Sequence, residues 1–477
     1  MTAIETDYLI VGAGATGMAF ADEVVAASDA EVVLIDRRHR PGGHWNDAYP
    51  FVRLHQPSAF YGVNSRRLGN DAITTTGPDR GLYERASAAE ICDYYQRVLE
   101  EQLLPSGRVR FLGLSDYRWD GDREHRVVSR LTGESTTVRV RRKLVDATYL
   151  ETSVPASHRR SFDVAADATV VPPGGLVQLD EPATGYTVLG AGKTAMDTCT
   201  WLLANGVPPE AIRWIRPRDA WLLDRSFLQP LQLVTNCIEG VSLDLQCAAD
   251  AESVTDLFQR LEDCGQLARL DPEVEPTTYR GAILSEGERT ELRRIQNVIR
   301  LGRVRTVGVD RIELEQGSIP TDKGQVHVDC TAAGLRQAPS RPIFEANRIT
   351  PQTVRAGQVP FNAALVGSLE AARNDDSDKN RLCPPNMLPN VATDWLSTTY
   401  IMYAAEVAWG EEADLQTWLE RSRLNVGRGT VDHLDDPRMQ AALTRLTTNM
   451  EPALTNLRRL MDQTRRPLAT ADATATP

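Results

Sequence analysis

Two stretches of the chain share one pattern of apolar and small residues. The apolar run Tyr8-Leu9-Ile10-Val11 leads into Gly12-Ala13-Gly14-Ala15-Thr16-Gly17, and a helical pattern opens near Met18. The run Tyr186-Thr187-Val188-Leu189 leads into Gly190-Ala191-Gly192-Lys193-Thr194-Ala195, and a helical pattern follows over Met196 to Leu203. Each reads as a strand, a tight glycine turn and a helix. A second apolar run comes after each helix: Glu31-Val32-Val33-Leu34-Ile35, ending at Asp36, and Ile212-Arg213-Trp214-Ile215, followed by Arg216-Pro217-Arg218. Both units are therefore expected to be β-α-β.

The pattern changes between and after these units. Residues 44–86 lack regular periodicity and are rich in aromatic and turn residues. So long an irregular stretch is usually functional or covers a cofactor. Ser87-Ala88-Ala89-Glu90 is a capping box that opens a helix to about Leu103. Arg108 to Leu112 reads as a short strand, and residues 115–142 alternate as strands around Thr132-Gly133-Glu134. Leu144-Val145-Asp146-Ala147-Thr148 reads as a buried strand with a small-residue end. A Pro/Gly linker follows, then the second unit, and residues 225–300 read as largely helical and amphipathic. Val304 to Leu314 looks like a strand pair and Gln325 to Cys330 like a strand. Residues 391–409 form a helix rich in Trp, Tyr and Ala; its stripe Trp395, Tyr400, Tyr403 and Trp409 packs a core or lines a substrate tunnel. The expected fold class is α/β, with two Rossmann-like dinucleotide-binding domains, the second inserted in the first. The expected divisions are 1–169, 170–322 and 323–464, with a disordered tail at 465–477.

Composition narrows the partners. A length of 477 residues accommodates two or three domains, and a net charge of −12 disfavours nucleic acid or an anionic membrane as main partner. The seven cysteines are scattered with no C-x-x-C pair, so neither a zinc ribbon nor a redox-active dithiol is signalled. No metal site is expected. No signal peptide and no run of 18 apolar residues is found, so no integral membrane association is expected and the cytoplasm is the expected compartment.

The glycine spacing has a chemical meaning. Gly12 and Gly190 allow the turn, Gly14 and Gly192 let the backbone approach a pyrophosphate, and Gly17 or Ala195 lets helix and strand pack closely. The helix start, with Ala15 and Thr16 in one unit and Lys193 and Thr194 in the other, then presents unpaired N–H groups and a positive dipole end. Asp36 sits where it would meet ribose hydroxyls. Arg216 and Arg218 stand where the second unit would otherwise carry such an acid, and a guanidinium suits a 2′-phosphate.

Further motifs follow in order. Beyond Asp36, the basic loop from Arg37 leads to Pro41-Gly42-Gly43-His44-Trp45; Tyr49-Pro50-Phe51-Val52-Arg53 comes next, and Asp146-Ala147-Thr148 closes a strand before the second fingerprint. In this order they resemble the class B flavoprotein monooxygenases, the flavin-containing and Baeyer–Villiger enzymes. The chain is identified as a divergent member. The family's motif around His158 is eroded, with Thr152, Val154 and Phe162 at its other positions, and His55 and Tyr149 replace a family Asp and Gly.

The resemblance implies FAD at the first turn, with Gly43, His44 and Trp45 near it, and NADPH at the second. It implies flavin reduction by NADPH, a C4a-(hydro)peroxyflavin and transfer of one oxygen atom from O₂ to a small organic substrate. Asn64 is the leading catalytic candidate, beside Gln56 and Tyr61. His55 would be the group titrating near neutral pH, or a structural hydrogen bonder. Arg53 would stabilise a peroxide or pair with FAD phosphate. Arg225 would project toward the nicotinamide, or pack a helix surface. The competing readings are an NADPH-dependent flavoprotein reductase or oxidase, and a non-catalytic regulatory protein that binds both cofactors.

Overall fold

The computed structural model of the chain describes residues 3–119 and 124–465. The first sheet takes β1 (Ala3–Val11), β2 (Val32–Ile35), β3 (Val109–Leu112), β4 (Ser115–Trp119), β5 (Glu124–Ser129) and β6 (Ser135–Asp146). β1 lies between β2 and β6, parallel to both, and β3 extends the sheet beyond β2. β4 and β5 form an antiparallel hairpin laid against β6. The strand Arg348–Ile349 returns from far along the chain to pair with β6. Leu9, Ile10, Leu34 and Val145 are fully buried, as the apolar runs require of strands covered on both faces.

Helix α1 (Ala15–Ala27) follows β1 and is itself buried along one side by the helix Val359–Ala372. Helix α2 (Ala88–Val98) starts at the expected capping box: the Ser87 hydroxyl accepts from Glu90 N–H, and the Glu90 carboxylate accepts from Ser87 N–H. It runs on through a wider turn, Leu99–Leu103.

The second sheet is parallel throughout. It contains β7 (Val170–Val171), β8 (Gly185–Leu189), β9 (Ile212–Ile215), β10 (Val298–Ile299) and β11 (Gln325–Asp329), in the order β7-β11-β8-β9-β10. Helix α3 (Lys193–Ala204) crosses from β8 to β9. β11 therefore belongs to the second unit, which runs past the expected limit at residue 322. The chain rejoins the first sheet at Phe344–Glu345 and Arg348–Ile349. The correction has a simple cause: a parallel strand can pair with a partner far away in sequence, and nothing local to residues 325–329 names that partner.

The duplication is closer than the glycine spacing alone conveys. β6 and β11, each beside the first strand of its unit, end in Asp-x-Thr. The Asp146 carboxylate accepts from both the N–H and the hydroxyl of Thr148, and that of Asp329 from the same groups of Thr331. Each strand end faces a glycine turn. A Cβ on Gly12 would lie 2.9 Å from Thr148 Cγ2, and one on Gly190 would lie 2.8 Å from the Cys330 carbonyl oxygen.

Residues 225–300 are less helical than expected. Ala220–Asp224, Leu267–Ala268 and Thr278–Leu284 form a three-stranded sheet beside the helices Val234–Asp250 and Val254–Asp263. The C-terminal helices Asp394–Gly410 and Pro437–Arg465 pack on this module. Trp395 and Tyr403 join Trp221 and Phe258 in its core, and Trp409 fills the core of the first unit. The aromatic stripe is packing material. The expected disordered tail lies outside the described residues beyond Arg465, as do residues 120–123 of the expected strand region. Among the described residues no helix is long and apolar enough to cross a membrane.

Candidate functional site

Both glycine turns open into one cavity of about 1180 Å³. Pockets for a single small ligand occupy roughly 300–1,000 Å³, so this space accommodates more than one. Gly12, Gly14, Ala15, Thr16, Asp36 and Arg37 line one part. Gly190, Gly192, Lys193, Thr194 and Arg218 line another part, and His44, Trp45, Arg53, His55, Gln56 and Tyr61 line the cavity too.

At the first turn, glycine is required by contact. The backbones of Gly14 and Gly43 touch: a Cβ on Gly43, where φ is +55°, would lie 2.9 Å from Gly14 Cα. Gly42 N–H donates to the Ala13 carbonyl oxygen across 2.9 Å, tying the two loops together. Gly17 does not line the cavity; a Cβ there would lie 1.9 Å from the Gly12 carbonyl oxygen, so its role is helix–strand packing. The Asp36 carboxylate accepts from Ala13 N–H at 2.7 Å and Arg38 N–H at 2.8 Å, which fixes it at the end of β2. Arg37 is paired with Glu151, across the cavity rim.

The two helix starts are alike. α1 and α3 begin at Gly14 and Gly192, with no capping side chain and no acid in the first turn. Several other helices of the chain are capped, by Ser87, Ser253, Ser285 and Asp375. Unsatisfied N–H groups at a helix start favour an anion. A Cβ on Gly192 would enter open space in the cavity, so this glycine keeps room for a ligand and not for a protein neighbour. Lys193 is nearly buried and paired with Asp197, with Glu288 3.8 Å away.

Arg216 and Arg218 part company. Arg216 is buried, ion-paired with Asp219 and placed over the Trp214 ring at 4.9 Å; burial and the neighbouring Arg300 pull its pKa down to about 10. It does not line the cavity, so the expected phosphate role falls away from it. Arg218 lines the cavity, and so do Arg280 and Arg303, which sequence reading did not single out. All three are exposed, and their only signal in the chain was an arginine among many.

On the cavity wall, the Trp45 indole N–H donates to the Tyr61 hydroxyl at 2.6 Å. Burial raises the Tyr61 pKa to about 12. The Tyr49 hydroxyl donates to Asp197 at 2.8 Å, linking the first unit to α3. His44 and His55 are both held neutral. Burial and Arg38 lower His44 to about 4; burial, Lys193, Arg225 and Arg85 lower His55 to about 3. His55 is exposed on the cavity wall, where loss of solvation and the nearby cations Lys193, Arg225 and Arg85 disfavour its protonated form, against the expectation of titration near neutral pH. Arg53 also lines the cavity, and one of its nitrogens donates to the Arg85 carbonyl oxygen at 2.9 Å.

Two expected catalytic residues are elsewhere. The Asn64 amide donates to Glu23 on α1, and its oxygen accepts from the Ser422 hydroxyl at 3.0 Å and Leu424 N–H at 3.3 Å. These bonds turn the side chain away from the cavity and into the joint with the C-terminal segment. Arg225 is fully buried, bonded to Asp79 and Glu288 at 2.6 Å each, to the Ile283 carbonyl oxygen and to the His55 carbonyl oxygen. It supports the His55 loop from behind. His158 contacts Asp329 through Nε2 at 2.9 Å, at the end of β11, while Thr152, Val154 and Phe162 line the cavity.

This arrangement has known counterparts. A family model described as an NAD(P)-binding Rossmann-like domain matches residues 10–63. The open crystal structure of cyclohexanone monooxygenase superposes with a TM-score of 0.50 at 11% identity, covering 77% of this chain and 87% of that one. The crystal structure of the OTEMO complex with FAD and NADP (form 3) gives 0.49 at 16%, covering 88% and 92%. The fold is thus similar to that of cyclohexanone monooxygenase. The uncharacterized proteins Rv2000 of Mycobacterium tuberculosis and Mb2023 of Mycobacterium bovis are each 45% identical over 424 residues, 89% of this chain and 78% of their own length. The chain belongs to the family of these mycobacterial proteins.

Proposed function

We propose that the protein is an FAD- and NADPH-dependent monooxygenase acting on a small organic molecule. One observation carries this reading: two uncapped, glycine-opened helix starts, from two separate sheets, share one cavity. A single Rossmann unit would explain only one of them. The open space at Gly192 fits an extended diphosphate lying along the second turn.

FAD is assigned to the first turn, where the α1 N–H groups meet its pyrophosphate. Each Asp36 oxygen accepts one backbone N–H and keeps a lone pair for a ribose hydroxyl. NADPH is assigned to the second turn. Arg218, with its neighbour Arg280, supplies the positive charge for a 2′-phosphate, and Arg303 lines the same cavity. Bound flavin supplies a hydride acceptor and a centre that activates oxygen. The protein's part is to bring the two nucleotides together, exclude water and keep nearby groups in one protonation state. His44 and His55 present neutral imidazoles, and the Trp45–Tyr61 pair holds an aromatic wall in place.

The purified protein is tested by its absorption spectrum, then by NADPH oxidation under oxygen with a panel of ketones, amines and sulfides. Flavin bands and a substrate that gains one oxygen per NADPH support the reading. A folded, colourless protein that refuses added FAD ends it. Hydrogen peroxide as sole product with every substrate class replaces it with an NADPH oxidase.

A further inference from the structure

Cys247 and Cys264 meet outside the cavity, although 17 residues separate them in sequence. Cys247 lies in the last turn of the helix Val234–Asp250, and Cys264 directly follows the helix Val254–Asp263. Their sulfurs are 3.6 Å apart, in van der Waals contact. Cys247 is buried and Cys264 is partly exposed, so a small oxidant reaches one sulfur while the other waits behind it. Closing a disulfide from here needs an approach of about 1.5 Å. Gly265, at a φ of +80°, forms the turn next to Cys264 and gives that backbone freedom.

We propose that Cys247 and Cys264 are a dithiol modification site that hydrogen peroxide closes to an intramolecular disulfide. The Cys264 thiolate attacks one peroxide oxygen; the O–O bond breaks, hydroxide leaves, and Cys264 becomes a sulfenic acid. The Cys247 sulfur then attacks the Cys264 sulfur. The S–O bond breaks, and the hydroxyl departs with the Cys247 proton as water. Each sulfur is oxidised by one electron, and the peroxide is reduced to water and hydroxide. The division of labour has a physical basis. Contact with the Cys247 sulfur, in which either thiol can donate, and a backbone N–H at Gln266 lower the Cys264 thiol below its usual range, against the opposing burial.

The bridge would act on the module behind the site. Leu267, three residues past Cys264, pairs with Leu223, two residues before Arg225. Two turns before Cys247 on the same helix, Gly240 packs against Phe227 and Gln266. A disulfide therefore ties the helix to the segment entering the strand Leu267–Ala268, which pairs with the strand that leads to the buried arginine.

The test uses the full-length native protein treated with hydrogen peroxide, then alkylated and digested without reductant. The expected result is the loss of two titratable thiols and a Cys247–Cys264 cross-linked peptide that dithiothreitol reverses. Thermal denaturation should show a higher midpoint for oxidised wild type, and no rise for Cys264→Ser. Cys247→Ser should leave Cys264 as sulfenic or higher acids with no cross-link. An unmodified pair, a wild-type Cys264 carried to sulfinic acid, or a cross-link appearing only after unfolding overturns the proposal. None of these readouts depends on bound flavin or on turnover.

Discussion

Arg225 Nε donates to the His55 carbonyl oxygen across 2.9 Å, although the two residues belong to different dinucleotide units. The same guanidinium holds Asp79 of the first unit and Glu288 of the second, and Arg85 bridges the same two carboxylates. The joint between the units is thus an ionic cluster placed directly behind a residue that lines the cavity.

That cluster makes Arg225 a stability residue first. Arg225→Ala leaves half-buried Asp79 and buried Glu288 short of a cation, and removing one partner of a buried pair costs about 3–5 kcal/mol. The lower end is expected, because Arg85 remains. Urea denaturation of the purified variant measures it. Unchanged stability with lost turnover would mean that Arg225 acts on a bound ligand directly.

The two glycine turns should fail in different ways. Gly43→Ala puts a Cβ against the Gly14 backbone at a left-handed φ, so neighbouring backbone must shift. It should lower flavin content and melting temperature together. Gly192→Ala meets no protein atom. It should fold and hold flavin as wild type does, while weakening NADPH binding. Titration calorimetry with NADP⁺ and the flavin-to-protein absorbance ratio separate the two. Wild-type NADP⁺ affinity in Gly192→Ala would remove the second turn from the nucleotide site.

How much was legible follows from what is local. The glycine spacings, the capping box at Ser87 and the apolar strands are fixed by residues near one another in sequence, and the structure places all of them as read. The sheet partner of the strand Gln325–Asp329 and the neighbours of Asn64 and Arg225 are not. Asn64 meets Ser422, and Arg225 meets His55 and Asp79, only because the fold brings distant segments together. Polar residues in an irregular loop look the same in sequence whether they face a cavity or a joint. Arg280 and Arg303 gave no signal for the converse reason: their position on the cavity wall is set by strands paired far away.

Arg216 and Arg218 separate specificity from support. Arg218→Ala should raise the Michaelis constant for NADPH and leave that for NADH nearly unchanged. A hydrogen bond to a charged group is worth roughly 1.5–3 kcal/mol, and exposure of Arg218 together with Arg280 nearby favours the smaller loss, on the order of tenfold. Arg216→Ala should lower stability through Asp219 and shift both Michaelis constants alike. Discrimination lost in Arg216→Ala alone would reverse the assignment.

The neutral histidines set the sign of acid sensitivity. Unfolded histidine titrates near 6.5, while His44 is lowered to about 4 and His55 to about 3 in the folded chain. Between those values the unfolded chain binds more protons, so stability is full above about pH 6.5 and falls as pH drops toward 4 and 3. Urea midpoints of the flavin-free protein should decline from pH 7 to 4.5, less steeply in His55→Gln. The same variant should leave the pH–rate profile between 6 and 9 unmoved. A limb in that range abolished by His55→Gln would show that His55 titrates there after all.

Asn64 gives the sharpest contrast between sequence expectation and structure. Its amide holds Glu23 on α1 while its oxygen receives Ser422 and Leu424, so one side chain stitches the first helix of the flavin unit to the segment after Trp418. Glu23 also accepts from the Trp418 indole at 3.1 Å, and burial raises its pKa. Asn64→Ala strands the Ser422 hydroxyl and one Glu23 oxygen, at about 1–3 kcal/mol for buried groups left unsatisfied. The variant should melt earlier yet bind FAD and turn over as wild type does well below its midpoint. Asn64→Asp should be worse, because a second carboxylate would face Glu23. Normal melting with NADPH oxidation diverted to hydrogen peroxide would return Asn64 to the reacting centre.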